Sequence, residues 1–288
     1  MNKLKDKFSI EGKVCIITGG AGLLGKKHCE AVLEGGGIPV LLGRNIDTLM
    51  KVKNYYESEY KMTVECAKTD ITIREEIVKV RDYLMEKYGH IDILINNAAN
   101  NPKMEGKQEK MSIGKFETFP IEEWNKDIEV GLTGTLLCCQ IFGTIMKEQK
   151  RGNILNISSD YGIIAPDQRI YQSANEKKEF KIKPVSYSVI KHGIIGLSKY
   201  LATYWGKDGI RTNTLCPSGI YNGQDSEFVK KFINNVPMGR MSEPQEYVGT
   251  ILYLISEASS FVNGATIVVD GGKTIWIKET SYEKSTIN

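Results

Sequence analysis

Short runs of β-branched and other apolar residues alternate with longer segments of helical periodicity along nearly the whole chain. The first run, Val14–Thr18, predicts a strand, and the segment after it, Leu24–Glu34, predicts a helix. Ile91–Ile95 is apolar throughout except for one residue, as expected of a strand that helices cover on both faces. Strands that alternate with helices form a parallel sheet through right-handed crossovers. The sequence therefore predicts an α/β fold, a Rossmann-like doubly wound parallel sheet of about seven strands with helices on both faces.

The other segments of the alternation are assigned from their periodicity in the same way. The further predicted strands are Pro39–Leu42, Thr63–Cys66, Asn153–Ile157, Ile210–Leu215 and Thr266–Val269. The further predicted helices are Ile46–Tyr60, Thr72–Tyr88, Glu122–Lys147, Val185–Trp205 and Pro244–Ser256. No repeat, low-complexity tract or linker divides the chain, so we expect a single domain over residues 1–288.

Two polar, lysine-rich stretches fall outside the alternation, near residues 100–120 and 163–183, and a tail over residues 273–288 follows the last strand. Neither stretch has a clean period, so both are predicted to be inserted loops. Long ordered loops in compact domains are usually functional, and ligands of open parallel sheets bind at the carboxyl ends of the strands. We therefore expect both loops to lie over a ligand site.

Composition excludes several classes of protein. The 38 basic and 35 acidic residues give a net charge of +3, which is too small to indicate a nucleic acid or a membrane surface as partner. The apolar run Val14–Thr18 is too short for a signal peptide or a spanning helix, so we expect a cytoplasmic protein. The six cysteines include no C-x-x-C pair and the three histidines share no ligand spacing. These patterns predict buried free thiols, solvated histidines and no metal site.

A glycine-rich turn follows the first predicted strand and opens the first predicted helix. Gly20, Gly22 and Gly25 fit the pattern G-x-G-x-x-G. Glycines let the backbone approach a pyrophosphate, and the start of the helix offers free N–H groups and a positive dipole end. The pattern alone is weak, because a glycine-rich turn is sometimes only a turn. Its place at the first strand–helix junction favours a dinucleotide site.

The end of the second strand indicates which dinucleotide the site prefers. An acidic residue at this position would bond the ribose 2′-hydroxyl of NAD, but the sequence here is Leu42-Gly43-Arg44-Asn45. The Arg44 guanidinium suits a 2′-phosphate. The alternative is an ordinary surface arginine. NADP is therefore favoured over NAD as the cofactor.

Further motifs follow the glycine-rich turn in order along the chain. They are Asp70-Ile71, Asn96-Asn97-Ala98-Ala99, Asn156-Ile157-Ser158-Ser159, Tyr187-Ser188-Val189-Ile190-Lys191, Ile210-Arg211-Thr212-Asn213, Pro217-Ser218-Gly219, Asn263-Gly264 and Val269-Asp270-Gly271-Gly272. A Tyr-x-x-x-Lys pair alone says little, since such pairs are common on helices, but the ordered set is specific. From about Gly12 to Gly272 the chain resembles the short-chain dehydrogenase/reductase family, in its single-domain branch.

The resemblance implies an oxidoreductase that moves a hydride between NAD(P) and a carbonyl or alcohol carbon, with Ser159, Tyr187 and Lys191 as catalytic residues. Tyr187 would exchange a proton with the reacting oxygen, and Ser159 would hold that oxygen. Lys191, one helical turn from Tyr187, would favour the phenolate and bond the nicotinamide ribose. Together with the second-strand residues, the expected cofactor-binding residues are Gly19, Ala21, Gly22, Leu23, Leu24, Arg44, Asn45, Asp70, Ile71, Asn97, Ala98, Tyr187, Lys191, Pro217, Gly219 and Ile220.

Three substitutions depart from the family pattern. Leu23 takes the position of a glycine in the usual turn, with Gly22 carrying the glycine instead, and Ala99 replaces the last glycine of Asn-Asn-Ala-Gly. Gly131 stands at the position of the family's catalytic asparagine. In the family that asparagine is thought to act largely through its main-chain carbonyl. We therefore expect Gly131 to keep this function and to make a helix kink easier.

The separation between Ser159 and Tyr187 is wider than the family usually has. Tyr171 stands where a chain without the extra segment would have its catalytic tyrosine. The residue four positions after Tyr171 is Asn175 and not lysine. Tyr187, followed by Lys191, is therefore the predicted catalytic tyrosine.

The two inserted loops are basic, and they suggest an anionic substrate such as a phosphorylated or nucleotide-linked sugar. Their cations are Lys103, Lys107, Lys110, Arg169, Lys177, Lys178, Lys181 and Lys183. The alternative is that solvated loops of a lysine-rich chain are simply basic. Both interpretations stay open on the sequence.

Short motifs also resemble a bacterial subgroup of the family associated with surface sugars, which includes flagellin modification proteins and gluconate-5-dehydrogenase-like proteins. These motifs are Gly22-Leu23-Leu24-Gly25, Asn97-Ala98-Ala99-Asn100-Asn101-Pro102 and Gly131-Leu132-Thr133-Gly134. A sugar derivative is the expected substrate, in the synthesis of a bacterial surface glycan. A 3-oxoacyl-carrier-protein reductase and a dinucleotide-binding regulator without turnover remain as alternatives. By the same resemblance, the predicted helices Glu122–Lys147 and Val185–Trp205 imply a homodimer or homotetramer.

Overall fold

The structure, a computed structural model, describes residues 3–100, 115–172 and 182–276. These residues form a seven-stranded sheet in the order β3-β2-β1-β4-β5-β6-β7, in which every pair of neighbours is parallel. The strands are β1 (Val14–Thr18), β2 (Ile38–Gly43), β3 (Glu65–Lys68), β4 (Ile93–Asn96), β5 (Gly152–Ile157), β6 (Ile210–Pro217) and β7 (Thr266–Val269). The predicted Rossmann-like, doubly wound fold is confirmed.

Helices connect the strands and cover both faces of the sheet. They are α1 (Leu23–Glu34), α2 (Ile46–Tyr60), α3 (Arg74–Tyr88), α4 (Ile121–Ile128), α5 (Gly134–Glu148), α6 (Val185–Tyr204), α7 (Ser226–Ile233) and α8 (Val248–Ile255). A π-helical segment, Glu129–Thr133, joins α4 to α5.

The core lies in two layers, one on each side of the sheet. All five residues of β1 are buried, and successive side chains point to opposite layers. Ile17 lies in the layer that contains Val32 of α1 and Leu254 of α8. Ile16 lies in the layer that contains Phe142 of α5. Full burial of one such side chain stabilises the fold by about 1.5–3 kcal/mol, which explains why a strand covered on both faces is apolar throughout.

Most element boundaries agree with the sequence predictions, and three features differ. The predicted helix Glu122–Lys147 is divided by the π-helical segment, and the predicted helix Pro244–Ser256 begins with a 3-10 turn over Pro244–Tyr247. The sequence analysis did not predict α7.

Only parts of the two predicted loops belong to the described residues. They contain 3-10 turns over Phe116–Thr118 and Gln168–Tyr171. Residues 101–114, 173–181 and 277–288 lie outside the described residues, so the predictions for most of the basic loop positions and for the end of the tail fall outside them too. The positions concerned are Lys103, Lys107, Lys110, Lys177, Lys178 and Lys181.

One helical run of the described residues, Ile121–Glu148, is long and apolar enough to cross a membrane by length and composition. It consists of α4, the π-helical segment and α5. Cys138, Phe142 and Met146 of its second half are fully buried against the sheet. This packing is that of a core helix in a globular domain.

The cysteines are all free, and five of the six are buried, as the sequence predicts. Cys66 in β3 is partly exposed. Within the described residues, no group of three or more His, Cys, Asp or Glu side chains is placed to hold a metal ion.

Candidate active site and cofactor cleft

The predicted site residues gather at the carboxyl ends of the central strands. β1 and β4 are neighbours in the sheet although β2 and β3 lie between them in the chain. Such a reversal of strand order leaves a crevice, because the connections from the two strands run to opposite faces of the sheet. Gly19 follows β1 and Ala98 follows β4, and a Cβ atom on Gly19 would lie 3.1 Å from the Cα of Ala98. The two loops therefore meet at this crevice.

The glycine-rich turn is packed closely on itself and on β2. Gly19 has a φ of +65°, a conformation that favours glycine. A Cβ atom on Gly25 would overlap the carbonyl oxygen of Gly19, and one on Gly20 would lie 2.7 Å from the Cβ of Leu41. Gly22 is less constrained, since its Cβ would lie 3.1 Å from the Gly19 oxygen. The turn therefore needs glycine most at positions 20 and 25.

The first turn of α1 fits the pyrophosphate of a dinucleotide. Gly22 is the N-cap residue, and no side chain caps this helix. The amide groups of Leu23 and Leu24 consequently have no acceptor inside the helix, and the positive end of the helix dipole favours a phosphate beside them. Gly22 and Leu23 are exposed, and Ala21 is partly exposed. The predicted pyrophosphate contacts are thus accessible to a ligand.

Asn97 ties the loop after β4 to the end of β1. Its side-chain amide donates to the carbonyl oxygens of Thr18 (3.0 Å) and Gly19 (3.2 Å). Its main-chain amide and that of Ala98 donate to the hydroxyl of Thr18, at 2.9 and 3.0 Å. The floor of the crevice is therefore fixed by hydrogen bonds before any ligand binds.

His28 of α1 holds the side chain of Asn97 by a hydrogen bond, and the sequence did not predict this contact. His28 is fully buried, where a solvated side chain was predicted, and its Nε2 lies 3.1 Å from the Asn97 Oδ1. Because Oδ1 only accepts, Nε2 carries the proton. Burial lowers the pKa of His28 to about 4, so the ring is neutral at physiological pH. Its Nδ1 is buried without a hydrogen-bond partner among the described residues.

Two cations lie at the end of the cleft that would receive the adenosine ribose. Arg44 is exposed just after β2 and makes no hydrogen bond or ion pair within the described residues. Lys68 at the end of β3 is also exposed, and its register partner is Gly43, the neighbour of Arg44. The side chain of Asn45 caps α2 by accepting from the Thr48 amide at 3.0 Å. A guanidinium group and an ammonium group at the ends of neighbouring strands suit a phosphate.

Asp70 and Ile71 follow β3 at the start of the loop to α3. The Asp70 Oδ1 accepts from the amide of Thr72 (3.0 Å) and from its hydroxyl (2.8 Å), which orders this turn. Ile71 is buried, and its side chain occupies the space that a Cβ on Gly134 would need. Both residues shape the cleft, and their contact with adenine remains a prediction.

Ser159, Tyr187 and Lys191 are brought together next to the crevice. Ser159 is the N-cap of a 3-10 turn after β5, Tyr187 lies in the first turn of α6, and Lys191 lies one turn later. The Ser159 hydroxyl lies near enough to the Tyr187 hydroxyl to lower its pKa. The Lys191 Nζ lies 5.6 Å from the centre of the Tyr187 ring and donates to the Ile157 carbonyl at 2.9 Å.

Burial moves the pKa values of the tyrosine and the lysine apart, because it favours the neutral form of each group. It raises the pKa of Tyr187 to about 12, and the polar hydroxyl of Ser159 opposes this shift. It lowers the pKa of Lys191 to about 8, and the neighbouring charge of Lys183 acts in the same direction. Groups with strongly shifted pKa values in a cleft are typical of proton-transfer sites.

Lys183 is a second cation at the tyrosine. Its Nζ lies 3.8 Å from the centre of the Tyr187 ring, nearer than that of Lys191. Burial lowers the pKa of Lys183 to about 8, and the charge of Asp160 opposes this shift. Of the two predicted basic loop residues that the structure describes, Lys183 and Arg169, Lys183 is the one next to the tyrosine. Arg169 instead pairs with Asp167 at 2.8 Å, and its side chain is 79% exposed.

Gly131 lies in the π-helical segment, so the predicted irregularity in this helix is present. Its carbonyl oxygen accepts from the hydroxyl of Thr135 at 2.8 Å. A Cβ atom on Gly131 would lie 2.6 Å from the Cγ2 of Ile190, which stands beside Lys191 on α6. The absence of a side chain at position 131 therefore lets α6 pack closely at the level of Lys191.

The segment after β6 passes over the mouth of the crevice. Pro217 ends β6, and Ile220 forms a parallel bridge with Ser242. A Cβ atom on Gly219 would overlap the ring of Phe232 in α7. The unpredicted helix α7 thus packs directly on a segment that is predicted to flank the nicotinamide.

Tyr171, the tyrosine rejected in favour of Tyr187, lies in the wall of the same pocket. Its hydroxyl donates to the hydroxyl of Tyr161 at 3.1 Å. The ring of Tyr161 meets that of Tyr187 edge to face, with centroids 6.4 Å apart. Tyr171 therefore contacts Tyr161, and Tyr161 in turn contacts Tyr187.

Comparisons with known proteins agree with this geometry. A family model described as enoyl-(acyl carrier protein) reductase matches residues 24–274. The post-translational flagellin modification protein A of Campylobacter coli is 32% identical over 91% of this chain and 98% of its own length. The NAD-dependent glycerol dehydrogenase of Listeria innocua is 32% identical over 93% of this chain and 96% of its own length. A solved short-chain dehydrogenase from Leptospira borgpetersenii with bound NAD+ is 33% identical, covers 96% of this chain and 97% of its own, and has a TM-score of 0.78.

A parallel sheet with a glycine-rich turn at its crevice and a tyrosine beside two lysines is typical of a dinucleotide-dependent oxidoreductase. The chain belongs to the short-chain dehydrogenase/reductase family, as its ordered motifs predict. It is an enzyme that acts on alcohol or carbonyl groups with NAD(P). The hypothesis of a regulator without turnover finds no support in these relatives.

Proposed function

We propose that the enzyme oxidises or reduces a small polyhydroxylated substrate, a sugar or sugar derivative, in the synthesis of a bacterial surface glycan. The observation that carries the proposal is the position of Tyr187 next to Ser159, with the Nζ atoms of Lys183 and Lys191 at 3.8 and 5.6 Å from the centre of its ring. One relative is named for a polyol, glycerol, and another for the modification of flagellin. The first of these names supports a substrate rich in hydroxyl groups.

In this proposal Tyr187 is the general acid/base. During oxidation of an alcohol, the phenolate oxygen takes the hydroxyl proton, and during reduction the phenol returns it to the carbonyl oxygen. Ser159 holds the reacting oxygen, and the ammonium group of Lys191 favours the phenolate. The bound NAD(P) supplies or accepts the hydride, and the chain supplies position and proton.

The substrate is proposed to carry a carboxylate or phosphate group. Lys183 supports this proposal, because its ammonium group lies over the ring of the proposed acid/base Tyr187. Neutralising Lys183 should then raise the KM for an acidic sugar tenfold or more, but leave the KM for a neutral polyol nearly unchanged. The matched control is Lys150→Gln, which removes an exposed surface cation. A KM that does not respond to salt would contradict this part of the proposal.

NADP is proposed as the preferred cofactor because Arg44 and Lys68 form a pair of exposed cations at the adenosine end. The names of the glycerol dehydrogenase and of the Leptospira structure mention NAD instead. Titration of the protein with NADPH and NADH, followed by fluorescence energy transfer, decides between them. Tenfold tighter binding of NADPH, erased by Arg44→Ala, is the expected result. Equal or tighter NADH binding would assign the site to NAD and leave the rest of the proposal intact.

A 3-oxoacyl-carrier-protein reductase is the second candidate. The description of the matching family model, enoyl-(acyl carrier protein) reductase, favours a carrier-bound substrate. In that case a purified acyl carrier protein should bind the enzyme and should compete with small anions for Lys183.

We further propose that the chain forms one oxidoreductase domain, works in the cytoplasm and assembles as a homodimer or homotetramer. Exposed apolar side chains on the two long helices support the assembly. Ile121 and Leu136 lie on the α4–α5 run, and Val189, Tyr200 and Tyr204 lie on α6. Such residues are typical of contact surfaces between subunits.

The central experiment is a screen of neutral polyols, sugar acids and sugar phosphates with NAD+ and NADP+, followed by the absorbance of the reduced nicotinamide. Turnover of at least one hydroxylated compound is expected. Tyr187→Phe should lower kcat by about a thousandfold or more while the cofactor still binds, since proton transfer alone is worth about 10²–10⁴. Unchanged turnover in Tyr187→Phe would refute the assignment of the acid/base.

A further inference from the structure

A buried ion pair lies directly behind the proposed catalytic serine. The Nζ of Lys273 is 2.7 Å from the Oδ2 of Asp160, and each side chain is 4% exposed. Asp160 follows Ser159 in the chain, whereas Lys273 lies beyond β7, 113 positions away from its partner. Burying two charges carries a desolvation penalty of several kcal/mol per ion, and apolar residues of similar size often stabilise a fold as well. Stability alone is therefore a weak reason for this pair.

The Asp160 carboxylate orients two hydroxyl groups of the site. Its Oδ1 accepts from the Ser159 hydroxyl at 2.7 Å and from the Tyr161 amide at 2.8 Å. Its Oδ2 accepts from the Ser218 hydroxyl at 2.8 Å and from Lys273. A serine hydroxyl has one proton and two lone pairs. Ser159 donates its proton to Asp160 and accepts from the Tyr161 amide at 3.2 Å, so one lone pair remains for Tyr187 or a substrate hydroxyl. Ser218 belongs to the segment after β6 that is predicted to flank the nicotinamide, so one carboxylate reaches both sides of the site.

Lys273 is held in place by two aromatic rings as well as by the carboxylate. Its Nζ lies 4.2 Å from the centre of the Tyr161 ring and 4.7 Å from that of Phe232 in α7. A cation over an aromatic face is stabilised by about 0.5–2 kcal/mol. Tyr161 in turn packs edge to face on Tyr187. The ammonium group is therefore fixed two contacts away from the proposed acid/base.

Several charged and titratable groups face Tyr187, and Asp160 is the carboxylate among them. They are Lys191 of α6, Lys183 of the segment before α6, Asp160 and Tyr161 of the turn after β5, Tyr171 of the pocket wall, and Cys216 of β6. After burial, which is the largest effect, the Asp160 charge is one of those that raise the pKa of Tyr187. A positive charge at Lys273 opposes that effect of Asp160 at close range.

We propose that Asp160 and Lys273 are a positioning pair for the active site. Asp160 fixes the hydroxyl groups of Ser159 and Ser218, and Lys273 offsets the negative charge that Asp160 places near Tyr187. The pair also makes the segment after β7 a structural part of the site. The proposal rests on the proposed function of Tyr187 as acid/base, but its test is arranged to be independent of any substrate.

The test follows Tyr187 itself by NMR, in protein labelled at the tyrosine Cζ and recorded with and without NADP. Tyr187→Phe assigns the resonance. The variants are Asp160→Asn, Lys273→Met and the charge-conserving Lys273→Arg. The matched control is Lys150→Met, which removes the cation of the exposed pair between Lys150 and Asp208.

Opposite shifts are the expected result. Lys273→Met leaves the Asp160 charge uncompensated and should raise the titration midpoint of Tyr187 by about one pH unit, whereas Asp160→Asn should lower it by a similar amount. Lys273→Arg and Lys150→Met should leave the midpoint where it is. If the pair were merely structural, the Tyr187 midpoint would move in the same direction in Asp160→Asn and Lys273→Met, or would move in neither. Either result overturns the proposal. If Asp160→Asn does not fold, Lys273→Met compared with Lys273→Arg decides, because equal midpoints in these two would overturn it.

Kinetics then separate this proposal from the proposed function. With a substrate from the screen, Asp160→Asn should lower kcat tenfold or more and change the KM for the cofactor little. Turnover that survives Tyr187→Phe would refute the role of Tyr187 and leave the NMR result on the pair unaffected. If kcat is unchanged in Asp160→Asn although Tyr187→Phe is inactive, Asp160 does not position Ser159. That result would overturn this part of the proposal and no other.

Discussion

At Gly131, the residue type is explained by a neighbour on another helix. The family has an asparagine here, and a side chain at this position would meet Ile190 of α6. The main-chain carbonyl is retained and already accepts the Thr135 hydroxyl. A proton relay that used the carbonyl would therefore be preserved, whereas one that used the side chain would be lost.

Gly131→Ala should destabilise the protein by about 1–3 kcal/mol, because its Cβ would overpack against Ile190. The matched control is Gly196→Ala in α6, where a Cβ meets nothing within 4 Å and should add about 0.5–1 kcal/mol of helix stability. Denaturant unfolding of both variants measures the difference. A Gly131→Ala variant as stable as Gly196→Ala would contradict the packing argument, and Ile190→Ala in the Gly131→Ala background should recover part of the loss.

His28 gives a prediction for the pH dependence of stability. Its pKa is about 4 in the folded protein and 6.5 in the reference state, so the unfolded chain takes up a proton in this window before the folded one does. The free energy of unfolding should therefore fall as the pH is lowered from about 6.5 to about 4, by about 3 kcal/mol in total from this group. Urea midpoints across this window should show a shallower slope in His28→Gln. His192→Gln, at an exposed position of α6, should keep the full slope, and equal slopes in wild type and His28→Gln would refute the argument.

At the scale of elements, periodicity predicted the helices and strands whose burial is regular. β1, α2 and β7 have the predicted bounds, because an apolar strand or an amphipathic helix between turn residues leaves little freedom. Periodicity did not predict the π-helical segment or α7. The first depends on packing between Gly131 of the segment itself and Ile190 of α6, which is far away in the sequence. The second is one eight-residue helix within a loop region, and its Phe232 ring packs on Gly219 of the segment after β6.

The junction between β1 and α1 carries a prediction on cofactor binding. Gly25→Ala would force its Cβ onto the Gly19 carbonyl, so we expect at least tenfold weaker binding of NADPH together with lower stability. Gly22→Ala is the control, because the same carbonyl lies 3.1 Å from its Cβ and a small adjustment is enough. Fluorescence energy transfer to bound NADPH measures both affinities. Equal losses in the two variants would show that close packing at position 25 is not what the turn requires.

At the scale of the whole molecule, sequence motifs located the site but not its supports. The strand ends and the glycine-rich turn were predictable, because parallel strands bring their carboxyl ends to one edge. Asp160, Lys273 and His28 were not singled out, since each acts through a partner that only the folded chain brings near. A buried charge or a buried histidine has no local sequence signal of its own. Most of the two basic loops lies outside the described residues.

The proposed assembly is tested by a substitution on the outer face of α6. Val189 is 42% exposed there, and Val189→Lys should lower the molar mass in solution to that of a monomer or smaller oligomer. Met50 of α2 is 38% exposed on a different surface, and Met50→Lys should leave the assembly unchanged. Light scattering after size-exclusion chromatography measures both. A monomeric wild type would refute the proposed oligomer.

The hydrogen bonds between Thr18 and Asn97 join residues 79 positions apart, and they have a consequence for the order of folding. The turn after β1 can be made early, but its fixed form depends on β4, which follows β2 and β3 in the chain. Dinucleotide affinity should therefore appear only once four strands have paired. A ligand that binds only this completed junction shifts the folding equilibrium towards it by mass action. In the cell, a higher concentration of the cofactor would thus raise the fraction of chains in which the amino-terminal half of the sheet is folded.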